Sequence, residues 1–350
     1  MSEKVNKKTL KAAAVTAIVL VFALAVVGVI ELVVGGKRDS LDYLKAGERW
    51  SSDGTPYAVI AAYTDDDNGF DESTLGMWEH SMESALTEAA VSSVGGRRWT
   101  YAASFETELT VSAKKTTTAL VTVAVGDFFT FHTYDFVFGS GFLNDMSNPM
   151  GVVLDEDLAW KLFGATNVVG MTFTSGGEEY TVSGVYKPEK TGGAYGYTYG
   201  KRPRMIMSGR GYAKIGQCSY TTYEAVLPNP VKSFAKNIFD NVIRLNEDKS
   251  DIIEATKRFS LENRFSNMKK LTYSWININT LEYPYWENEA RVSDYRCARL
   301  MILEIIFASV AGAALIASIV LVVVSGYTPV ASAKNLFGKA ARRKKMKKIN

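Results

Sequence analysis

The sequence predicts an α+β domain held between two membrane-crossing helices, and three observations predict it. Residues 12–34 and 300–324 are long apolar runs, each with a single charged residue, Glu31 and Glu304. Between them, stretches of period-two alternation take turns with stretches of helical periodicity, the pattern of an α+β fold rather than an all-β sandwich. That middle segment holds more acids than bases, whereas Lys and Arg crowd the two ends.

As a helix, residues 12–34 reach about 34 Å, more than the roughly 30 Å of a hydrocarbon core. The run is longer than the roughly 7–15 residues of a secretory signal core, and no small-x-small cleavage site stands at Gly35 and Gly36, so it reads as an uncleaved anchor. Lys4, Lys7, Lys8 and Lys11 precede it. Lys334, Lys339, Arg342, Arg343, Lys344, Lys345, Lys347 and Lys348 follow the second run with no acid among them, which sets both termini in the cytoplasm of a two-pass cell-membrane protein. The expected division is a cytoplasmic start (1–11), a first span (12–36), an extracytoplasmic domain (37–298), a second span (299–326) and a basic tail (327–350). The outer domain is expected to hold two subdomains, a split strand/helix module and a mixed strand-rich module inserted at about 115–210.

Arg342, Arg343, Lys344, Lys345, Lys347 and Lys348 form a candidate membrane-surface anchor, each drawn to anionic lipid by about 1 kcal/mol. A tail tethered to the bilayer, without interleaved aromatics or a reader fold, argues against nucleic acid as its partner. Ala308, Gly312, Ala313 and Ala317 make a small-residue surface in the second span; helix packing and an alanine-rich composition both account for it.

Along the outer segment, residues 38–47 extend the first helix until Ser51, Asp53 and Gly54 break it, and residues 57–63 are β-rich. Asp65, Asp66, Asp67, Asn68 and Gly69 form an acidic loop. Counted as a calcium loop from Asp65, its sixth position is Phe70 instead of Gly and its twelfth is Met77 instead of Glu, so it reads as a solvated turn. The next helix is capped by Ser73 or Thr74 and runs to about Ser92, with Leu75, Trp78, Met82, Leu86 and Ala89 on one stripe and Gly95 and Gly96 ending it. Residues 99–111, 118–125, 204–208 and 220–227 read as strands. Pro230 starts a helix, residues 251–264 form another, and 271–278 a last strand. Residues 191–200, TGGAYGYTYG, form a surface loop that either grips a ligand or is a plain excursion. Tyr283, Tyr285 and Trp286 are expected to pack the domain onto the outer stub of the second span, with a helix from about Asn288 continuing into the bilayer.

Residues 149–186 compose a strand, a helix and a hairpin. Residues 152–154 are apolar, Asp155 caps a helix with Leu158, Ala159, Leu162 and Phe163 on its inner face, and Gly164 stops it. Residues 171–174 and 178–186 then alternate as strands around the turn Ser175, Gly176, Gly177. The succession "GVVLDEDLAWKLFG", "VVGMTF", "YTVSGVY" resembles the MacB-like periplasmic core domain, the extracytoplasmic domain of ABC-transporter permeases of the MacB, FtsX and lipoprotein-release type. Residues 123–142, VAVGDFFTFHTYDFVFGSGF, and 223–234, YEAVLPNPVKSF, resemble its flanks.

The resemblance implies a permease-type or accessory subunit of an ABC-transporter-like complex, whose outer domain binds cargo or a partner and moves with the membrane helices. It implies a separate ATPase, an additional permease subunit or both, and a homo- or heterodimer. Permeases of this type have four spans and a cytoplasmic docking segment; residues 327–350 hold no acid, and no further span follows. That departure leaves an alternative, a non-transporting binding, sensing or assembly scaffold on the same two anchors.

No enzyme is expected. Residues 164–172 have no lysine and the wrong glycine spacing for a phosphate loop, only His80 and His132 exist, and neither HExxH nor a G-x-S-x-G elbow occurs. No cofactor is implied. Cys218 and Cys297 lack metal-ligand spacing and read as unpaired or structural thiols.

Overall fold

A computed structural model describes residues 7–51, 54–91, 98–142, 148–189, 199–269 and 281–324. The chain divides into two compact units, residues 1–35 with 298–350, and residues 36–297.

The first unit is a pair of apolar helices. α1 (Lys7–Asp39) and the apolar run of the chain's last described helix are long and apolar enough to cross a bilayer. They touch through Phe22 and Phe307, whose rings meet edge-on at 6.3 Å, and through Ser318 Oγ donating to Thr16 Oγ1 at 2.8 Å. Ala23, Ala311 and Ala314 are buried between them, where small side chains permit close approach.

In the second unit the chain runs α2 (Ala46–Trp50), β1 (Tyr57–Thr64), α3 (Glu72–Glu88), β2 (Thr100–Ser112), β3 (Thr116–Gly126), α4 (Phe128–Phe131), β4 (Phe136–Gly139), β5 (Gly151–Asp155), α5 (Glu156–Phe163), β6 (Thr172–Ser175) and β7 (Glu178–Tyr186). It continues through β8 (Arg204–Ser208), α6 (Gly209–Tyr212), β9 (Thr222–Pro228), α7 (Phe234–Val242), β10 (Ser250–Glu254), α8 (Leu261–Lys269) and the start of α9 (Tyr285–Val324). The strands make one mixed sheet ordered β10-β1-β9-β2-β3-β8-β5-β7-β4, with β6 pairing β2 and β7. The strands of the two modules expected from the sequence lie in one sheet and meet where β2 and β3 pair antiparallel.

Because side chains alternate across a strand, the sheet has two unlike faces. Ala58, Ile60 and Ala62 of β1, with Tyr223 and Ala225 of β9, face an apolar core closed by Leu75, Trp78, Met82 and Leu86 of α3, Leu158 and Leu162 of α5 and Phe239 of α7. Each Leu, Ile, Met or Phe side chain among them contributes about 1.5–3 kcal/mol on burial. The other face carries Ala61 and Tyr63 of β1 and the polar residues Glu224, Thr222, Thr122, Arg204 and Asp155, all buried.

Local chemistry sets the element ends. Asp155 Oδ1 accepts from Leu158 N at 2.7 Å to cap α5, and Gly164 closes it with φ +74°, a conformation glycine adopts without strain. Gly176 and Gly177 both have positive φ, as the tight β6–β7 turn requires.

Three expectations need correction. Residues 251–254 belong to a strand rather than a helix: β10 pairs antiparallel with β1 at the sheet edge, and the helix starts only at Leu261. α3 is capped by Asp71, whose carboxylate accepts from Thr74 N at 2.8 Å; Ser73 and Thr74 instead donate to it. α7 begins at Phe234 rather than at Pro230. The expected strand 271–278 and helix stop at Gly95 and Gly96 lie outside the described residues.

Candidate functional site

α9 opens on Tyr285, and its first three turns place Glu287, Arg291 and Asp294 on one stripe, at spacings of four and three residues, with Ala290 and Cys297 buried beside them. These charged side chains meet Arg258, which follows the turn after β10. Arg258 is 4% exposed. Its Nη1 and Nη2 donate to the two oxygens of Glu287, each at 2.7 Å, and its Nε donates to Asp294 Oδ2 at 2.6 Å. Tyr43, between α1 and α2, accepts from Arg258 Nη1 at 2.7 Å, and its hydroxyl reaches Glu287 Oε2, as does that of Tyr63 on β1. Arg291 Nε donates to Glu287 Oε1 at 3.1 Å, Arg291 also pairs with Asp251 of β10, and its guanidinium lies 3.7 Å from the Tyr283 ring centre.

The cluster therefore ties the opening of α9 to the edge strand β10, to its neighbour β1 and to the chain segment that follows α1. It sets three carboxylates against two guanidiniums, and burial, opposed by Arg258, pushes the Asp294 carboxyl up to about 7. Among the described residues Asp294 Oδ1 has no hydrogen-bond partner.

Further along the same face, His132 Nε2 lies 2.7 Å from Glu224 Oε2, both side chains buried, with the Trp286 ring 4.2 Å from the imidazole. Asp155 uses its second oxygen to accept from Arg204 N at 2.9 Å and from Tyr199 Oη at 3.2 Å, and Arg204 pairs with Glu106. Tyr285 Oη donates to Glu189 Oε1 at 2.9 Å and lies 3.2 Å from Tyr134 Oη. Between these side chains and the turn at Asp42 opens a cleft of about 500 Å³, walled by aromatics and carboxylates. It lies within the outer unit, beside the chain segments that lead from α1 and into the apolar run of α9.

The family model of the MacB-like periplasmic core domain matches residues 13–254. The chain belongs to that family. No curated protein matches it. Among solved structures it is similar to the extracellular domain of the noncanonic ABC-type transporter YknZ from Gram-positive bacteria, at 17% identity over 56% of this chain and 99% of that one, with a TM-score of 0.38. It is also similar to the periplasmic region of MacB from Actinobacillus actinomycetemcomitans, at 14% identity over 59% of this chain and 92% of that one, with a TM-score of 0.39. The family assignment rests on the sequence match. A MacB-like domain flanked by two helices apolar enough to cross a bilayer fits a membrane-anchored, permease-type protein with an extracytoplasmic domain.

Of the residues singled out from the sequence, Ala308, Gly312 and Ala313 are exposed and Ala317 is half-buried. The contact with α1 is made by their neighbours Ala311, Ala314 and Ser318. Arg342, Arg343, Lys344, Lys345, Lys347 and Lys348 lie outside the described residues. Tyr283, Tyr285 and Trp286 are buried, as the packing of the domain onto the opening of α9 requires. Among the described residues no cluster of His, Cys, Asp and Glu could hold a metal ion, and Cys218 and Cys297 are free thiols. Sequence reading missed Arg258, Glu287, Arg291 and Asp294; the signal was charge at positions 287, 291 and 294, where a helix stripe also carries Ala290 and Cys297.

Proposed function

We propose that this protein is a permease-type or accessory subunit of an ABC-transporter-like complex, its extracytoplasmic domain binding cargo or a partner and coupled to the membrane helices. One observation carries the coupling: the buried ion cluster of Arg258, Glu287, Arg291 and Asp294 fastens the opening of α9 to β1 and β10. Removing one partner of such a pair costs about 3–5 kcal/mol.

In this reading the domain acts by binding and movement, without catalysis, and a separate ABC ATPase, an additional permease subunit or both supply the energy. Both termini are cytoplasmic, with Arg342, Arg343, Lys344, Lys345, Lys347 and Lys348 on the inner leaflet. Exposed Ala308, Gly312 and Ala313, with Ala317, form the surface for a partner helix, in a second copy or another subunit.

The test is affinity isolation of the full chain from its own membranes in mild detergent. The proposal expects an ABC ATPase to co-purify, and its hydrolysis rate in lipid nanodiscs to change when the chain carries Arg258→Ala. Isolation of the chain without any ATPase would favour the non-transporting scaffold.

A further inference from the structure

α8 is seated the wrong way round for a helix on a domain that meets only water. We propose that its apolar stripe, Leu261, Phe265 and Met268, lies in the headgroup layer of the membrane leaflet that faces the domain, so that α8 holds the domain to the bilayer surface beside the two apolar helices. The inference rests on the membrane anchoring described above and needs no ATPase.

The reversal shows in the burial of the helix. At about 100° per residue, Leu261, Phe265 and Met268 share one stripe, and Asn263, Ser266 and Asn267 fall on the opposite side. A helix on the surface of a soluble domain buries its apolar stripe. In α8, Leu261 and Phe265 are 57% and 42% exposed, while Asn263, Ser266 and Asn267 turn inward and line a cleft with Arg291 and Asp294 of α9. Asn263 Nδ2 donates to Lys257 O at 2.9 Å, which fixes the polar side against the domain. Arg264, between the two sides, is buried.

The place of α8 along α9 says what covers the stripe. Arg291 pairs with Asp251 of β10, and Asp294 with Arg258 one step further along the chain. Beyond them, burial and the Asp294 charge raise the Cys297 thiol to about 11, and the charge of Arg264 in α8 opposes them. α9 then continues as one helix to Val324, its apolar run beginning at residue 300. At a rise of 1.5 Å per residue, Asp294 and Cys297 stand about 9 Å and about 4.5 Å before that run. The headgroup layer is about 5–8 Å deep on each side of the hydrocarbon core, and surface-lying helices sink their apolar face into that boundary. Charge agrees. Lys269 is exposed at the margin of the stripe, its Nζ 4.7 Å from the Phe265 ring centre, the arrangement of an apolar residue in lipid with an ammonium at the phosphates.

Nitroxide labels are placed singly through Leu261→Cys, Phe265→Cys and Ser266→Cys in a full chain that carries Cys218→Ser and Cys297→Ala. Power-saturation EPR in liposomes of phosphatidylcholine and phosphatidylglycerol compares collisions with oxygen, which concentrates in lipid, and with a nickel chelate, which stays in water. The expected ratio of oxygen to nickel accessibility at 261 and 265 is roughly fivefold or more above that at 266. Ratios at 261 and 265 equal to that at 266 leave the stripe in water, and low accessibility to both reagents means that protein covers it; either result overturns the inference. If one of these two labels lowers the Tm, the other carries the test. A label introduced by Ile316→Cys, at an exposed position of the apolar run, reports the anchor itself. If it too faces water, the membrane reading falls and the inference with it; if it faces lipid while 261 and 265 do not, the inference falls alone.

Discussion

Arg258 and Glu287 form a two-pronged ion pair, 2.7 Å at each prong, with side chains only 4% and 1% exposed. One partner follows the sheet's edge strand and the other stands in the first turn of α9. Buried pairs of this kind are poor evidence of net stability but strong evidence of a fixed joint, because either partner alone is an uncompensated charge. Arg258→Ala strands both Glu287 and Asp294. The expected loss is about 3–5 kcal/mol, read by denaturant titration of the full chain in detergent, and replacing the group together, Arg258→Met with Glu287→Met and Asp294→Leu, recovers most of it. A loss below about 1 kcal/mol is the value for an exposed pair and would remove the cluster from the account.

The cluster also sets a pH dependence. Asp294 and Glu289, outside the apolar run 300–324, are both raised to about 7, first by burial, from ordinary values of 3.8 and 4.5. A carboxyl whose folded pKa lies above its unfolded one binds more protons when folded, so its contribution is complete below the unfolded pKa and is lost as pH rises through 7. The Tm is therefore expected to fall between about pH 5 and pH 7 and to level off above that. Asp294→Asn, which keeps an acceptor for Arg258 Nε, makes the slope shallower, and adding Glu289→Gln flattens it further. A wild-type Tm that stays level across this range contradicts the assignment.

Asp155 joins the end of β5 and the start of α5 to β8 and Tyr199, since its carboxylate accepts from Leu158 N, Arg204 N and the Tyr199 hydroxyl. All three partners are donors. Asp155→Asn turns an amide N–H₂ toward at least one of them, at an expected cost of about 1–3 kcal/mol in thermal or denaturant unfolding. Tyr199→Phe removes one donor and costs about 1 kcal/mol or less. An asparagine variant as stable as the wild type would show that these bonds are not formed together.

Legibility followed locality. Asp155, Gly164, Gly176 and Gly177 act within a few residues of themselves, so cap, stop and turn could be read directly from the sequence. The apolar stripe of α3 was equally plain, whereas its start was misplaced because Asp71, Ser73 and Thr74 are all competent caps two or three residues apart. β10 reads as helix because Ser250–Glu254 is short and only half-buried, and its strand identity comes from pairing with β1, far away in sequence. The candidate site was hidden for the same reason. Arg258 is an ordinary surface residue until the fold brings it to Glu287 and Tyr43, and Trp286 looks like an interfacial aromatic until His132 packs against it.

Amide hydrogen exchange on the full chain in nanodiscs tests the joint most directly, by comparing residues 287–297 with β1 and β9. The account predicts that these amides open together with the two strands, at matching protection, and that Arg258→Ala lowers protection in 287–297 well before it does so in β9. Rapid exchange of 287–297 in the wild type while β1 and β9 stay protected would contradict it, because the opening of α9 would then move free of the sheet.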